Sequence, residues 1–211
     1  MGDAIAGSAT WAASLLMADG CSVALRLYCF RSDLTGDLKP LALPGRRVFV
    51  TASAWSPSGS LASADAVCQA DAAAAGLAST GTSRFVALLA TSTAPAASRL
   101  TAGGGPWKRV DDVFVFYSPS DLTAGKLLAP FGLVAKGTQY GTFLYWSGAT
   151  SPGTTSPVGL SCQDWSTSAA TVNGLFGNAN LSGGPEWFAD AAATTHNACS
   201  RTDIHLLCAE P

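Results

Sequence analysis

The chain has 211 residues, of which 48% are hydrophobic and only 12% charged, and its formal net charge is −2. A chain of this length and hydrophobicity can bury the core of one domain, with or without an N-terminal appendage. The only adjacent basic pairs are Arg46-Arg47 and Lys108-Arg109, so the sequence lacks the clustered basic face that nucleic acid or a polyanion such as heparin requires.

The sequence also argues against a membrane protein. No apolar run reaches the roughly 18 to 20 residues that a membrane span needs, and the N-terminus lacks the basic region that opens a signal peptide. The six cysteines form an even set, which favours an oxidising compartment and a mature or excised piece of a secreted or cell-surface protein. The alternative is a cytosolic protein with six buried thiols.

Residues 1–31 are predicted to be separate from the main domain. The segment 20–30 resembles the chain's own C-terminal segment 198–210, because each has a tryptophan upstream, a cysteine, a short turn and an apolar strand with a second cysteine. Residues 1–31 are therefore either the tail of a preceding repeat or an N-terminal hairpin closed by a Cys21–Cys29 disulfide. We favour the hairpin for the isolated chain because no other cysteines remain, and residues 32–45, broken by glycine and proline, form a linker.

Residues 46–211 read as an α+β domain with short strands and few helices. One main helix is predicted from Ser60 to Gly76, where a serine caps the start and a glycine ends an apolar pattern of helical period. A short helix is predicted from Ser118 through Leu128. A long polar loop is predicted over 166–197. The apolar and β-branched runs predict strands at 47–51, 84–89, 112–117, 142–146, 158–165 and 204–208.

Several motifs occur in a fixed order along this domain. They are Ala64-Asp65-x-x-Cys68-Gln69, Phe85-x-Ala87, Trp146-Ser147-Gly148, Cys162-x-x-Trp165-x-Thr167 and Leu206-Leu207-Cys208-x-Glu210. In these residues the chain resembles the endostatin domain and, more broadly, the C-type lectin-like domain. Bacterial surface proteins with endostatin-like modules look similar, and the Ala-rich, Lys-poor composition suits a bacterial source.

The resemblance implies an endostatin-like, C-type lectin-like fold with a mixed twisted sheet, one or two main helices and long loops. It also implies two disulfides, Cys68–Cys208 and Cys162–Cys199, and core positions for Trp146 and Trp165. The function it implies is a non-enzymatic extracellular binding or adhesion module.

No set of residues predicts catalysis, a metal or another cofactor. The two histidines, His196 and His205, stand in no recognisable catalytic pattern, and the cysteines are not at zinc-ligand spacing. Endostatins hold zinc through N-terminal histidines that this chain lacks, and the triplets that bind calcium and sugar in lectin-like domains are also missing. We therefore do not expect the zinc binding or the calcium-dependent sugar binding of these families in this chain.

The polar loop is the predicted ligand-binding region, because it mixes amide groups with aromatic faces that suit a glycan or a protein ligand. In the other interpretation, Trp187 and Phe188 only anchor the loop to the core. Two other functions stay open: a structural repeat in a surface array beside neighbouring repeats, and an enzyme on a lectin-like scaffold that needs a reduced cysteine. The candidate ligand-binding residues are Asn173, Asn178, Asn180, Trp187 and Phe188.

Overall fold

A mixed β-sheet with few and short helices organises the chain, so its class is α+β. The computed structural model describes residues 44–77, 84–139, 143–190 and 197–211. The predicted N-terminal segment 1–31, most of the linker and the expected Cys21–Cys29 disulfide lie outside these residues. The strands are β1 Arg46–Val50, β2 Val86–Ala87, β3 Trp107–Lys108, β4 Phe114–Phe116, β5 Leu144–Trp146, β6 Phe176–Asn178 and β7 His205–Ala209.

The helical segments of the described residues are one long helix and several short turns. The long helix, α1, covers Leu61–Ala74, and α2 covers Pro119–Thr123. Two 3₁₀ turns cover Ala96–Arg99 and Pro185–Trp187. Ser60 precedes α1 in a capping box with Ser63, which satisfies N–H groups that have no partner inside the helix.

The last strand of the chain lies at the centre of the sheet. The described strands run in the order β4-β3-β1-β7-β5-β6, and β2 also pairs with β7. Strand β7 is antiparallel to β1 and β2 and parallel to β5. A strand with neighbours on both sides and packing on both faces must be apolar on both faces, and Leu206, Leu207 and Cys208 are all buried.

The structure confirms the main elements that the sequence pattern predicts. The first and last strands and the long helix lie within about two residues of their predicted bounds. Small residues make the close packing of α1 on the sheet possible, because Ala64, Cys68 and Ala72 form its buried side. The predicted strand at 84–89 is shorter, since only Val86–Ala87 pairs in the sheet.

The strand predicted at 158–165 is wrong. Val158 is fully exposed, and Cys162–Trp165 is a single turn in which all four residues have positive φ. The helix predicted from Ser118 through Leu128 is shorter than expected, because it ends at Thr123. The two-residue β3 was not predicted, and β6 lies inside the stretch predicted to be a loop, because strands of two or three residues are too short to show a period in the sequence.

The two disulfides that the resemblance implies are confirmed. Cys68–Cys208 joins α1 to β7, and Cys162–Cys199 joins the turn after Ser161 to the segment before β7. Trp146 and Trp165 are fully buried, as expected. None of the helices in the described ranges has the length and hydrophobicity that crossing a bilayer demands.

Candidate functional site

The five predicted ligand-binding residues do not come together in one place. The carbonyl of Asn173 accepts a hydrogen bond from Cys162 N, and Asn173 is bridged to Ala198, so it lies beside the Cys162–Cys199 disulfide. Asn178 Oδ1 accepts a hydrogen bond from Asn180 N at 3.0 Å and shapes the turn after β6. Asn180 is 7% exposed, so most of its amide side chain faces the interior.

Trp187 and Phe188 are buried at 3% and 2% exposure. Trp187 packs on Phe131 at 5.8 Å between ring centroids, and Phe188 packs on Tyr145 at 6.4 Å. In this structure both rings therefore anchor the loop to the core, and neither offers an open face to solvent. Of these two rings, only the edge of the Trp187 indole reaches the surface.

A cleft of about 370 Å³ opens beside these two aromatic residues. Three chain segments form its walls: the end of α2, the loop after β5, and the 3₁₀ turn Pro185–Trp187. None of the lining side chains is ionisable, so the cleft suits an uncharged ligand or an uncharged part of one. The lining residues are Thr123, Ala124, Gly125, Thr150, Ser151, Pro152, Gly184, Pro185, Trp187 and Phe188.

The Trp187 indole N–H on this cleft has no hydrogen-bond acceptor among the described residues. The indole N–H groups of Trp107, Trp146 and Trp165 donate to main-chain carbonyls at 2.7 to 3.0 Å. Trp187 Nε1 donates to no other residue of the described ranges and is not among their buried polar atoms without a partner. It lies 3.8 Å from where a Cβ on Gly125 would stand, so the donor faces the end of α2.

The core holds the Trp187 backbone in place. The Tyr145 hydroxyl donates a hydrogen bond to the Trp187 carbonyl at 2.6 Å. Burial raises the pKa of Tyr145 well above its ordinary value, so the phenol remains a neutral donor. Gly177 in β6 allows the close approach, because a Cβ there would lie 2.3 Å from the Trp187 carbonyl oxygen. The donor edge is therefore fixed before any ligand arrives.

Hydroxyl groups supply the remaining polarity of the cleft. Thr150 is exposed and Ser151 is half-buried, and both can donate or accept. Thr123 Oγ1 donates to the Ser120 carbonyl at 3.0 Å, which leaves its oxygen able to accept. These groups, with the indole N–H, match the hydroxyl, ether and amide groups of a sugar or a peptide.

The two basic pairs of the sequence are brought together, which sequence reasoning missed. Strands β1 and β3 are parallel, and their register places Arg47 opposite Lys108. Both cations contact Asp112 at 2.7 Å, and the hydrogen bonds from Lys108 and Arg47 lower the pKa of Asp112. Because Arg109 pairs with Asp111, the carboxylates offset much of this positive charge, and the cluster is a poor polyanion surface.

Catalytic groups are not assembled in the described part of the chain. The Nδ1 of His205 lies 2.8 Å from the Thr51 carbonyl oxygen, whereas His196 lies outside the described residues. No group of three or more His, Cys, Asp or Glu within these residues could hold a metal ion. The four described cysteines are all in disulfides.

No protein-family model matches the chain, and a search of curated proteins finds no significant match.

Proposed function

We propose that the chain is a non-enzymatic extracellular binding or adhesion module with an endostatin-like, C-type lectin-like fold. The observation that carries the proposal is the uncharged cleft between α2, the loop after β5 and the 3₁₀ turn Pro185–Trp187, where the Trp187 indole N–H has no acceptor among the described residues. Its ligand is a glycan or protein segment that offers hydroxyl or amide groups. Rigid scaffolds that hold recognition groups on loops are a common design for binding.

The fold assignment in this proposal is supported by the two disulfides, which pair as the family resemblance implies. It is also supported by the buried positions of Trp146 and Trp165. Disulfides of this kind persist in oxidising compartments, so we place the module outside the cell or on its surface.

A cleft-filling substitution tests the proposal. The wild-type protein is screened against a glycan array and a panel of extracellular matrix proteins, and each hit is measured again with Thr150→Trp. We expect the variant to lose at least tenfold in affinity, because the indole at position 150 would occupy the cleft while the exposed site tolerates it structurally. Ala66→Trp is the matched control, since Ala66 is exposed on α1, which packs on the other side of the sheet.

Equal affinity of both variants for a confirmed ligand would remove the cleft from the proposal. A count of protein thiols after unfolding without reductant addresses the enzymatic alternative, because that reading needs a reduced cysteine. A count of zero excludes it, and one or more thiols would reopen it.

A further inference from the structure

Arg46 differs from the other arginines of the described residues, because its side chain has no carboxylate partner among them. Its Nη1 is a buried donor without an acceptor there. A buried, charged N–H group that lacks an acceptor is unfavourable, so this guanidinium is a candidate binding group for an external anion. The other arginines each contact a carboxylate: Arg47 that of Asp112, Arg84 and Arg99 that of Asp65, Arg109 that of Asp111, and Arg201 that of Asp203.

The Arg46 guanidinium is held in place by its neighbours. Its Cζ lies 5.3 Å from the centroid of the Trp107 ring, and that ring is fully buried, with its N–H bonded to the Glu210 carbonyl. The guanidinium also packs against Gly104, where an added Cβ would overlap with Nη1. A side chain that is already ordered loses little rotamer entropy when it binds a ligand.

Main-chain donors lie next to this guanidinium. Gly104 N donates to the Thr101 carbonyl at 2.9 Å and closes a turn. Gly103 and Gly105, on either side of Gly104, are exposed, and their N–H groups donate to no acceptor in the described part of the chain. These two amides can therefore add hydrogen bonds to an anion that the Arg46 guanidinium attracts.

The charge around Arg46 favours a carboxylate over a more highly charged anion. The neighbouring cations Arg47 and Lys108 both contact Asp112 at 2.7 Å, so their charge is partly offset. A single guanidinium matches the single charge and the two oxygens of a carboxylate. A phosphate monoester or a sulfated polymer carries more negative charge than this one group balances.

The surface beside this site is apolar, which favours a protein over an acidic sugar. Tyr117 is 57% exposed, and its carbonyl lies against Gly105. The Phe114 ring lies 5.8 Å from the Tyr117 ring. Leu128 is 56% exposed and lies beside β4, because its N–H donates to the Val115 carbonyl. Tyrosine and arginine are also enriched among the residues that dominate protein–protein binding.

We propose that Arg46, with the N–H groups of Gly103 and Gly105, binds the carboxylate of an aspartate or glutamate in a partner protein. Tyr117 and Leu128 contact the apolar residues beside that carboxylate. None of these five residues lines the cleft at Trp187, so the proposal does not depend on a ligand in that cleft.

A peptide titration followed by NMR tests the proposal. The full chain, labelled with ¹⁵N, is titrated with acetyl-Leu-Glu-Leu-amide, whose only charge is the glutamate, and separately with acetyl-Leu-Gln-Leu-amide. The readout is the Nε–Hε signal of Arg46, which is assigned by its absence in Arg46→Lys. We expect a saturating shift with the glutamate peptide and at least tenfold weaker binding of the glutamine peptide, because the charge-assisted hydrogen bonds are lost.

No saturating shift, or equal affinity for the two peptides, would overturn the proposal. A third titration with glucuronate distinguishes the source of the carboxylate. Tighter binding of glucuronate than of the glutamate peptide would assign the site to an acidic glycan and would also overturn the proposal. These outcomes are read on the wild-type protein, so they do not depend on the folding of a variant.

Two substitutions separate the proposed site from a general effect of charge. Gly104→Ala keeps every charge but places a Cβ against Nη1, and Gly104 has no positive φ that would strain an alanine. We expect it to weaken binding of the glutamate peptide at least tenfold. Arg84→Gln removes a positive charge that is 73% exposed beside Asp65, and it should leave the affinity unchanged. Equal losses from the two substitutions would contradict the proposal.

Discussion

Among single residues, Asp65 connects three parts of the fold. Its carboxylate accepts a hydrogen bond from Ala87 N in β2 at 2.9 Å and two from Arg99 Nη2 at 2.8 and 2.6 Å. It therefore ties α1 to β2 and to the 3₁₀ turn Ala96–Arg99. The Asp65 side chain is 11% exposed and that of Arg99 is 15% exposed. If the ion pair were broken, water would therefore solvate the remaining charge poorly.

We predict that Asp65→Asn lowers the free energy of unfolding by about 3–5 kcal/mol, because it leaves the Arg99 guanidinium without a compensating charge in a mostly buried place. Asp203→Asn is the matched control. The Asp203 side chain is 61% exposed and pairs with Arg201, so its loss should cost at most about 1 kcal/mol. Urea unfolding followed by fluorescence measures both, and similar losses for the two variants would contradict the prediction.

Among the described elements, the turn Cys162–Trp165 has a strained backbone. Its four residues have φ between 52° and 69°, a left-handed conformation that costs roughly 1–2 kcal/mol per residue for L-amino acids. Trp165 Nε1 donates to the Ala90 carbonyl at 2.8 Å, and Asp164 accepts from Ser92 N at 2.7 Å. Burial acts to raise the pKa of Asp164, but hydrogen bonds from Ser92 and Ser161 outweigh it and lower the pKa.

Two glycine substitutions with opposite expected effects on the free energy of unfolding test this strain. Gln163 is exposed with φ 53°, so we expect Gln163→Gly to raise the free energy of unfolding by up to about 1 kcal/mol, because glycine adopts this conformation without a steric cost. Ala70 is exposed within α1, and Ala70→Gly should lower it by about 1 kcal/mol. Urea unfolding of both variants measures the two changes in the free energy of unfolding. A loss of stability for Gln163→Gly as large as that for Ala70→Gly would show that the turn is not strained at Gln163.

For the whole molecule, the two disulfides close loops of very different length. Cys68 and Cys208 are 140 residues apart in sequence, and Cys162 and Cys199 are 37 apart.

Loops also cover both outer strands of the described sheet: Leu128 N donates to the Val115 carbonyl beside β4, and Asp190 N donates to the Phe176 carbonyl beside β6. Covered edges resist pairing with another chain.

We predict that removing the long-range disulfide is the more damaging of the two changes. In the chain-entropy model, Cys68→Ala with Cys208→Ala costs about 5 kcal/mol, and Cys162→Ala with Cys199→Ala costs about 4 kcal/mol. Thermal and urea unfolding of the two double variants, compared with the wild type, measure both losses. A larger loss from the Cys162–Cys199 pair would show that this bond does more than constrain the unfolded chain.

The candidate site was only half predictable from the sequence. Trp187 and Phe188 stand out because aromatic residues are rare in the polar stretch 166–197. Thr123, Thr150 and Ser151 give no such signal, since hydroxyl residues are common throughout the chain. They become site residues only where the fold brings three distant loops to one cleft.

The sequence by itself determined the α+β class, the first and last strands, the long helix and, through its family resemblance, the two disulfides. Those features depend on local period, capping residues and ordered motifs, which are readable along the chain. Only the tertiary structure decided that β7 lies at the centre of the sheet, that Cys162–Trp165 is a left-handed turn, and that the Trp187 edge rather than its face reaches the cleft. Each of these depends on contacts between residues far apart in sequence, which outweigh local preference.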